Sequence, residues 1–396
     1  MDSRAAPPSL DALLATAHEV GAIAARHATD TERGRRLAAP AADALIHSGL
    51  IKILQPRRFG GYELGFPEFV RVTQAIARHD VSAGWLHAIL GIHHWWGAFV
   101  SPQLQDELWG QDPDTLFVDS FAPFGQAHPV AGGMRLSGKW GFLSGVPWAK
   151  WVAVGAIAPI EPGAEPEYLM LFLPKDQYTV LDDWHTMGLR GSASCSVQVD
   201  DRFVPAHRVF RIGYGMATGD LPGLAINPGV PYRVAFVGGL GVALVPPSLG
   251  GAQGLAERFR ERAASRVPVF SGHRQAELVL SQTTLAEQMV ELDMVEGLVY
   301  RYADDLMAHG TSNTPYTVAE RVRMFAWRAL TTRRCREANH KLIELAGSSG
   351  IFEHEPIQRH FRDVHAMGQH VAVNYEAGLR NHGRVLMGLE PDAVLY

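Results

Sequence analysis

Cysteine is almost absent from this chain: only Cys195 and Cys335 occur among its 396 residues. Two thiols so far apart support no disulfide framework and fit a reducing cytoplasm. No run of about 18 apolar residues occurs, so no membrane-spanning helix is expected. Basic blocks are missing, and a formal charge of -5 argues against nucleic acid as the main partner. Met1-Asp2-Ser3-Arg4 leads into Ala and Pro without the apolar core of a signal peptide. Metal-ligand spacing is lacking although the chain has 18 histidines. His93 and His94 are adjacent and point to different helix faces, and His365 and His370 stand roughly 140° apart around a helix. No HExxH motif or Cys/His pair has ligand spacing, so no metal is expected.

What is present is ordinary for a large globular core: 47% hydrophobic and 19% charged residues, in a chain long enough for two or three domains. Residues 10 to about 113 carry helical spacing, as in Leu10, Leu13, Leu14, Ala17, Val20, Ile23 and Ala24. The pattern returns over Phe66 to Arg78 and over Val81 to Val100, and Pro102 opens a short last helix. From about 115 to 212 the texture is strand: Leu116-Phe117-Val118, Trp151 to Val154, Tyr168 to Phe172 and Cys195 to Val199 are short β-type runs. Strands at this spacing suggest a small barrel or sandwich. Long helical segments start near Arg233, Gln275, Thr317 and Ile357, the pattern of a four-helix bundle.

This segregated order is α+β and multidomain, unlike the alternating pattern of a dinucleotide enzyme. The domains read as residues 1–114 (helical), 115–216 (β) and 217–396 (bundle). Asp220 to Pro231 is the linker candidate, and a Pro/Gly loop at Pro246 to Gly254 interrupts the first bundle helix. Gly239-Leu240-Gly241 starts like a dinucleotide fingerprint but lacks a preceding strand and the third glycine, so tight helix packing accounts for it.

Two segments carry most of the chemistry. Ser137 to Gly145 reads as a strand with Trp140, Phe142 and Ser144 on one face by period two. Two aromatics and a hydroxyl suit an isoalloxazine ring, and a barrel strand with an aromatic core face gives the same pattern. The second segment is Arg362-Asp363-Val364-His365-Ala366-Met367-Gly368-Gln369-His370-Val371.

Together these segments resemble the acyl-CoA dehydrogenase fold. In that family a Trp-Ile-Thr stretch lines the flavin; Phe142 takes its Trp position, and Ser144 its Thr position with the hydroxyl toward N5. Ser120-Phe121-Ala122-Pro123 resembles the other flavin-edge loop, and Met187 to Ser194, with Ser192 and Ser194, resembles the Met-Gly-x-Arg-Gly-Ser/Thr loop. A desaturase of this fold often has Tyr-Glu eight and nine residues after the Arg, where His370 and Val371 stand here. Tyr232 to Leu249, the other place for a base, holds no Asp or Glu.

The missing base points instead to the two-component flavin-dependent aromatic hydroxylases on this scaffold. That resemblance implies reduced FMN or FAD delivered by a separate NAD(P)H:flavin reductase. It also implies O2, a C4a-hydroperoxide, an aromatic substrate and a homotetramer. His370 falls on the active-site His of these enzymes, and Trp85 and His93 on positions lining the ring and substrate pocket. The implied roles are His370 and Ser144 beside the oxygenated flavin and His93 acting on a phenol, with Trp85, Trp95, Trp96 and Phe121 lining the pocket. His94 is the neighbouring candidate. Arg266 resembles the bundle arginine that meets a flavin phosphate across a subunit interface, and Ser348 lies at a turn near the cofactor tail. Alternatives on the same scaffold are N- or S-oxygenation, or an acyl-CoA dehydrogenase-like or non-enzymatic relic.

Overall fold

The computed structural model describes residues 6–392. Ser9 caps α1 (Leu10–Arg26), its hydroxyl accepting the Ala12 amide, and Leu13, Ala17, Val20 and Ala24 form the buried stripe. Two short helices, α2 (Ala28–Gly34) and α3 (Ala39–Ile46), lead to α4 (Phe66–His79). Asp80 then caps α5 (Val81–Trp96), accepting from the Ala83 amide at 2.9 Å. Nearly every residue of α5 is buried, so this central helix has no solvated face. A short α6 (Pro102–Trp109) starts on proline, which lacks only an amide that has no intrahelical partner there.

Seven strands follow: β1 (Phe117–Val130), β2 (Gly133–Trp140), β3 (Trp151–Ala158), β4 (Glu167–Pro174), β5 (Thr179–Val180), β6 (Val197–Pro205) and β7 (Val209–Phe210). They form one sheet in the order β5-β6-β2-β1-β3-β4-β7. Only β1 and β3 are parallel neighbours. The first part of β1 pairs with β3 and its end with β2, and the β1–β3 register shifts between Ser120 and Gly125. Such irregularities re-aim side chains beside active sites. The Ser120–Pro123 segment lies in this one.

The structure corrects the reading of Ser137 to Gly145 as one strand. β2 ends at Trp140, and Phe142 turns to φ +65°, so alternation does not carry through to Ser144. Trp140 goes into the sheet's core, fully buried, with its indole donating to the Gly155 carbonyl at 2.9 Å. Phe142 is 78% exposed. Trp140 therefore supports the core of the sheet and leaves the set of cofactor-lining residues.

After α7 (Ile212–Thr218) the linker candidate proves to be packed: Asn227 is buried and donates to the Ala98 carbonyl and to Gln105. The remaining helices are α8 (Phe236–Val242), α9 (Pro246–Ser265), α10 (Val279–Ser312), α11 (Val318–Ala346), α12 (Pro356–Met367) and α13 (Tyr375–Leu386). Pro246 to Gly254 is not a loop but the start of α9. Gly250 there lets α9 lie directly on the backbone of α4 at Gln74. Gly239 packs on the Trp95 ring, as the packing reading expects. Among the described residues no single helix is long and apolar enough to cross a membrane.

Candidate active site

A chain of hydroxyls joins α5, the turn after β2 and the loop before β6. The Trp85 indole donates to the Ser144 hydroxyl at 3.0 Å. Ser144 lies 2.8 Å from the Ser194 hydroxyl, Ser194 lies 2.6 Å from that of Ser192, and Ser192 donates to the Leu189 carbonyl at 2.8 Å. Three of the predicted serines thus meet at one point, although Ser144 and Ser194 are 50 residues apart. Ser120 donates to the Gly141 carbonyl at 3.1 Å and so holds the turn that carries Phe142. Beside it, exposed Phe142 meets the edge of Trp184, with ring centroids 5.9 Å apart.

The Arg362-Asp363 pair fastens this serine loop to α12. Arg362 donates to the Met187 carbonyl and pairs with Glu32 at 2.7 Å. Asp363 accepts the Leu189 amide at 2.7 Å and lies 3.4 Å from the Ser82 hydroxyl. Gly188 must be glycine here, because a Cβ would collide with the Arg362 carbonyl. Asp363 is 1% exposed, and burial, reinforced by the charge of Glu32, raises its pKa to about 7. A carboxyl whose pKa is raised on folding stabilises the fold below its unfolded value, and that contribution is lost as pH rises through the folded value. Asp363→Asn is therefore expected to gain stability relative to wild type between about pH 4 and about pH 7. Melting temperatures of the two proteins across this range check it. A constant difference would refute the coupling.

His370 is not on the helix as predicted. α12 ends at Met367, and His370 starts the short turn Val371–Val373. Its Nδ1 accepts the Ala372 amide at 3.2 Å, which leaves the hydrogen of the neutral ring on Nε2. The ring faces Trp85, with centroids 6.1 Å apart. The residue is exposed to solvent, while the protein atoms packed behind it still desolvate the ring. That desolvation, helped by the charge of Arg328, lowers its pKa to about 4. His370 is thus a neutral N–H donor at neutral pH.

His93 is buried, and both of its nitrogens face oxygens: Nδ1 the Phe117 carbonyl at 3.0 Å, Nε2 the Asp119 carboxylate at 3.0 Å. Neither nitrogen is left open, contrary to the expectation that His93 itself meets a phenol. Asp119 is the more accessible partner, with side-chain exposure of 10% against 4%. The Trp96 indole donates to the same Asp119 oxygen at 2.8 Å, and the Asp119 charge is felt at both His370 and Tyr168. Sequence reading missed Asp119 because only the fold brings α5 beside β1. His94 is excluded from this group. It is buried against Trp109, its Nδ1 bonded to Leu90, and burial lowers its pKa to about 4. Trp95 is also core, packed on Phe66 and Phe99. Trp96 contacts Phe121 at 5.8 Å.

The chain is 31% identical over 384 residues to the oxygenase subunit HsaA of a flavin-dependent monooxygenase from Rhodococcus jostii, covering 96% of this chain and 97% of that protein. The chain belongs to the flavin-dependent monooxygenase oxygenase components. It is also 31% identical over 376 residues to the oxygenase component of an FADH(2)-dependent resorcinol hydroxylase from Rhizobium sp., covering 92% and 91%. The crystal structure of the HsaA monooxygenase from M. tuberculosis superposes with a TM-score of 0.91 at 28% identity, covering 98% of this chain and all of that one. Residues 242–375 match the family acyl-CoA dehydrogenase, C-terminal domain.

The residues of this oxygenase component suit a flavin. Exposed Phe142 against the edge of half-buried Trp184 makes an apolar corner, and Trp85, which donates to Ser144, lies beside His370. Arg266 and Ser348 sit apart from these groups, at a bundle corner. Arg266 donates to Gln275 at 2.8 Å and packs on Gly347, next to exposed Ser348, while Arg262 bonds Ser349. Beyond Arg266 the chain exposes Val269 and Phe270. A cleft of about 570 Å³ lies elsewhere, between α10 and α11. Its charges pair with one another, as in Lys341–Glu287 and Arg333–Glu337, the pattern of a solvated groove.

Proposed function

We propose that this oxygenase component uses reduced FMN or FAD and O2 to hydroxylate a phenolic or polyketide-like aromatic compound. A separate NAD(P)H:flavin reductase supplies the reduced flavin by diffusion, in the cytoplasm. One observation supports the reading: His370 lies beside Trp85, which donates to Ser144, and the charge of Asp119, paired with His93, reaches His370.

The flavin supplies activation of O2; the protein must bind it, exclude water and present an electron-rich ring. Phe142 and Trp85 would lie along the flavin, with Ser144 bonded at N5. His370 would donate from Nε2 to the oxygen-bearing edge. Asp119, held by His93 and Trp96 on one oxygen, would take the phenol's hydrogen bond with the other and raise the ring's electron density. Arg266 and Ser348 would meet the phosphate end of a neighbouring subunit's flavin. Exposed Leu280, Val290 and Met294 on α10 support a homotetramer, since such a face is costly to leave in water.

The test is anaerobic mixing with reduced FMN or FADH2, then O2. The expected result is a long-lived absorbance distinct from oxidised flavin, and a phenol that gains 16 mass units. Failure to bind reduced flavin, or a tight oxidised flavin reduced by an acyl-CoA, would overturn the reading. Light scattering that returns a monomer at micromolar concentration would refute the tetramer.

A further inference from the structure

The hydroxyl chain has a direction. The Leu189 carbonyl can only accept, so Ser192 commits its single hydrogen there, at 2.8 Å. The 2.6 Å contact between Ser192 and Ser194 must then use the Ser194 hydrogen. The 2.8 Å contact between Ser194 and Ser144 must in turn use the hydrogen of Ser144. The Trp85 indole, a donor only, takes one lone pair of Ser144 at 3.0 Å. Ser144 is left with one lone pair and no hydrogen to give.

The chain is also held rigidly. Ser192 is 0% exposed, Ser194 4% and Ser144 6%. The Gly145 amide donates to the Ser192 carbonyl at 2.9 Å, tying the two loops together. Trp184 donates to the Leu189 carbonyl at 2.9 Å, and Asp363 accepts the Leu189 amide.

We propose that this one-way chain selects the redox state of the flavin that the site accepts, with Ser192 and Ser194 as positioning residues. The inference rests on the functional reading above, in which Ser144 faces N5. Reduced flavin carries a hydrogen on N5, and oxidised flavin carries a lone pair there. A Ser144 that can only accept bonds the first and sets lone pair against lone pair with the second. An unconstrained serine would rotate its hydroxyl and serve both. To serve oxidised flavin here, the chain must reverse, and reversal breaks the Ser192–Leu189 bond.

The experiment measures Kd for reduced and for oxidised FMN, anaerobically, in wild type, Ser192→Ala, Ser194→Ala and Ser192→Thr. Ser192 lies two steps behind the proposed flavin contact, so a bulk effect at the ring does not arise from its loss. The expected result is a preference of wild type for reduced FMN that falls about tenfold in Ser192→Ala and Ser194→Ala, equivalent to ~1.4 kcal/mol or one hydrogen bond. The fall should come mainly from tighter binding of oxidised FMN. Ser192→Thr, which keeps the hydroxyl, should retain the preference. Should one alanine variant fail to fold, the other still decides. A wild-type preference kept within about twofold in the alanine variants overturns the inference and leaves the functional reading standing. No preference in wild type overturns both.

Discussion

Replacing Ser144 with alanine is expected to divert most of the oxygen consumed into hydrogen peroxide. The hydroxyl sits at the end of the chain through Ser194 and Ser192 and accepts the Trp85 indole. Its removal leaves the indole without that acceptor and takes away the proposed bond at N5. A buried group left unsatisfied costs about 1–3 kcal/mol. At ~1.4 kcal/mol per decade, the ratio of product to peroxide should fall about tenfold or more. His370→Ala should act in the same direction, because its Nε2 hydrogen is the proposed donor on the other side. Flavin binding should weaken only modestly in both, since the proposed aromatic and phosphate contacts remain. Product and peroxide are measured together per reduced flavin supplied. Equal coupling in wild type and both variants would falsify the placement of these groups.

Asp119→Asn should leave flavin binding nearly unchanged and slow oxygen transfer. The carboxylate accepts from His93 and Trp96 through one oxygen, and the other is the proposed contact for the phenol. General-base assistance is worth about 10²–10⁴-fold, and asparagine keeps a hydrogen-bond acceptor, so about a hundredfold loss is expected. The deficit should be greatest below the phenol's own pKa and shrink above it, where the substrate ionises unaided. His93→Ala should lower stability as well, by roughly 3–5 kcal/mol, because it strips a partner from a nearly buried charge. Single-turnover rates across pH separate these effects. A pH-independent rate equal to wild type in Asp119→Asn would remove the carboxylate from the chemistry.

The helix–sheet–helix order was legible because apolar spacing reports directly on which face is buried. α1 and α4 show the expected stripes, and α5 was found despite lacking a polar face. Trp140 was misplaced because period two holds only while the chain stays extended, and Phe142 at φ +65° ends that condition. Pro246 to Gly254 reads as a loop because Pro and Gly mark loops on average, whereas here Pro246 opens a helix and Gly250 and Gly254 admit a neighbouring backbone. Asp119 was illegible in principle: nothing local marks a strand aspartate whose partner lies 26 residues earlier on another element. The serines were found through resemblance, but the direction of their hydrogen bonds needed the Leu189 carbonyl, which no side-chain pattern reveals.

The clamp between α12 and the serine loop has a consequence for synthesis on the ribosome. Ser82 and Asp363, 281 positions apart, close on the same loop, and Arg362 reaches back to Glu32. A chain emerges at about 5–20 residues per second, N-terminal end first. The sheet and α5 can pack early and Gly145 can already hold Ser192, but the Asp363 and Arg362 contacts to this loop form only after α12 leaves the tunnel. The serine loop is therefore fully fastened only late, and a nascent chain stopped before α12 would lack the Asp363 and Arg362 half of its clamp.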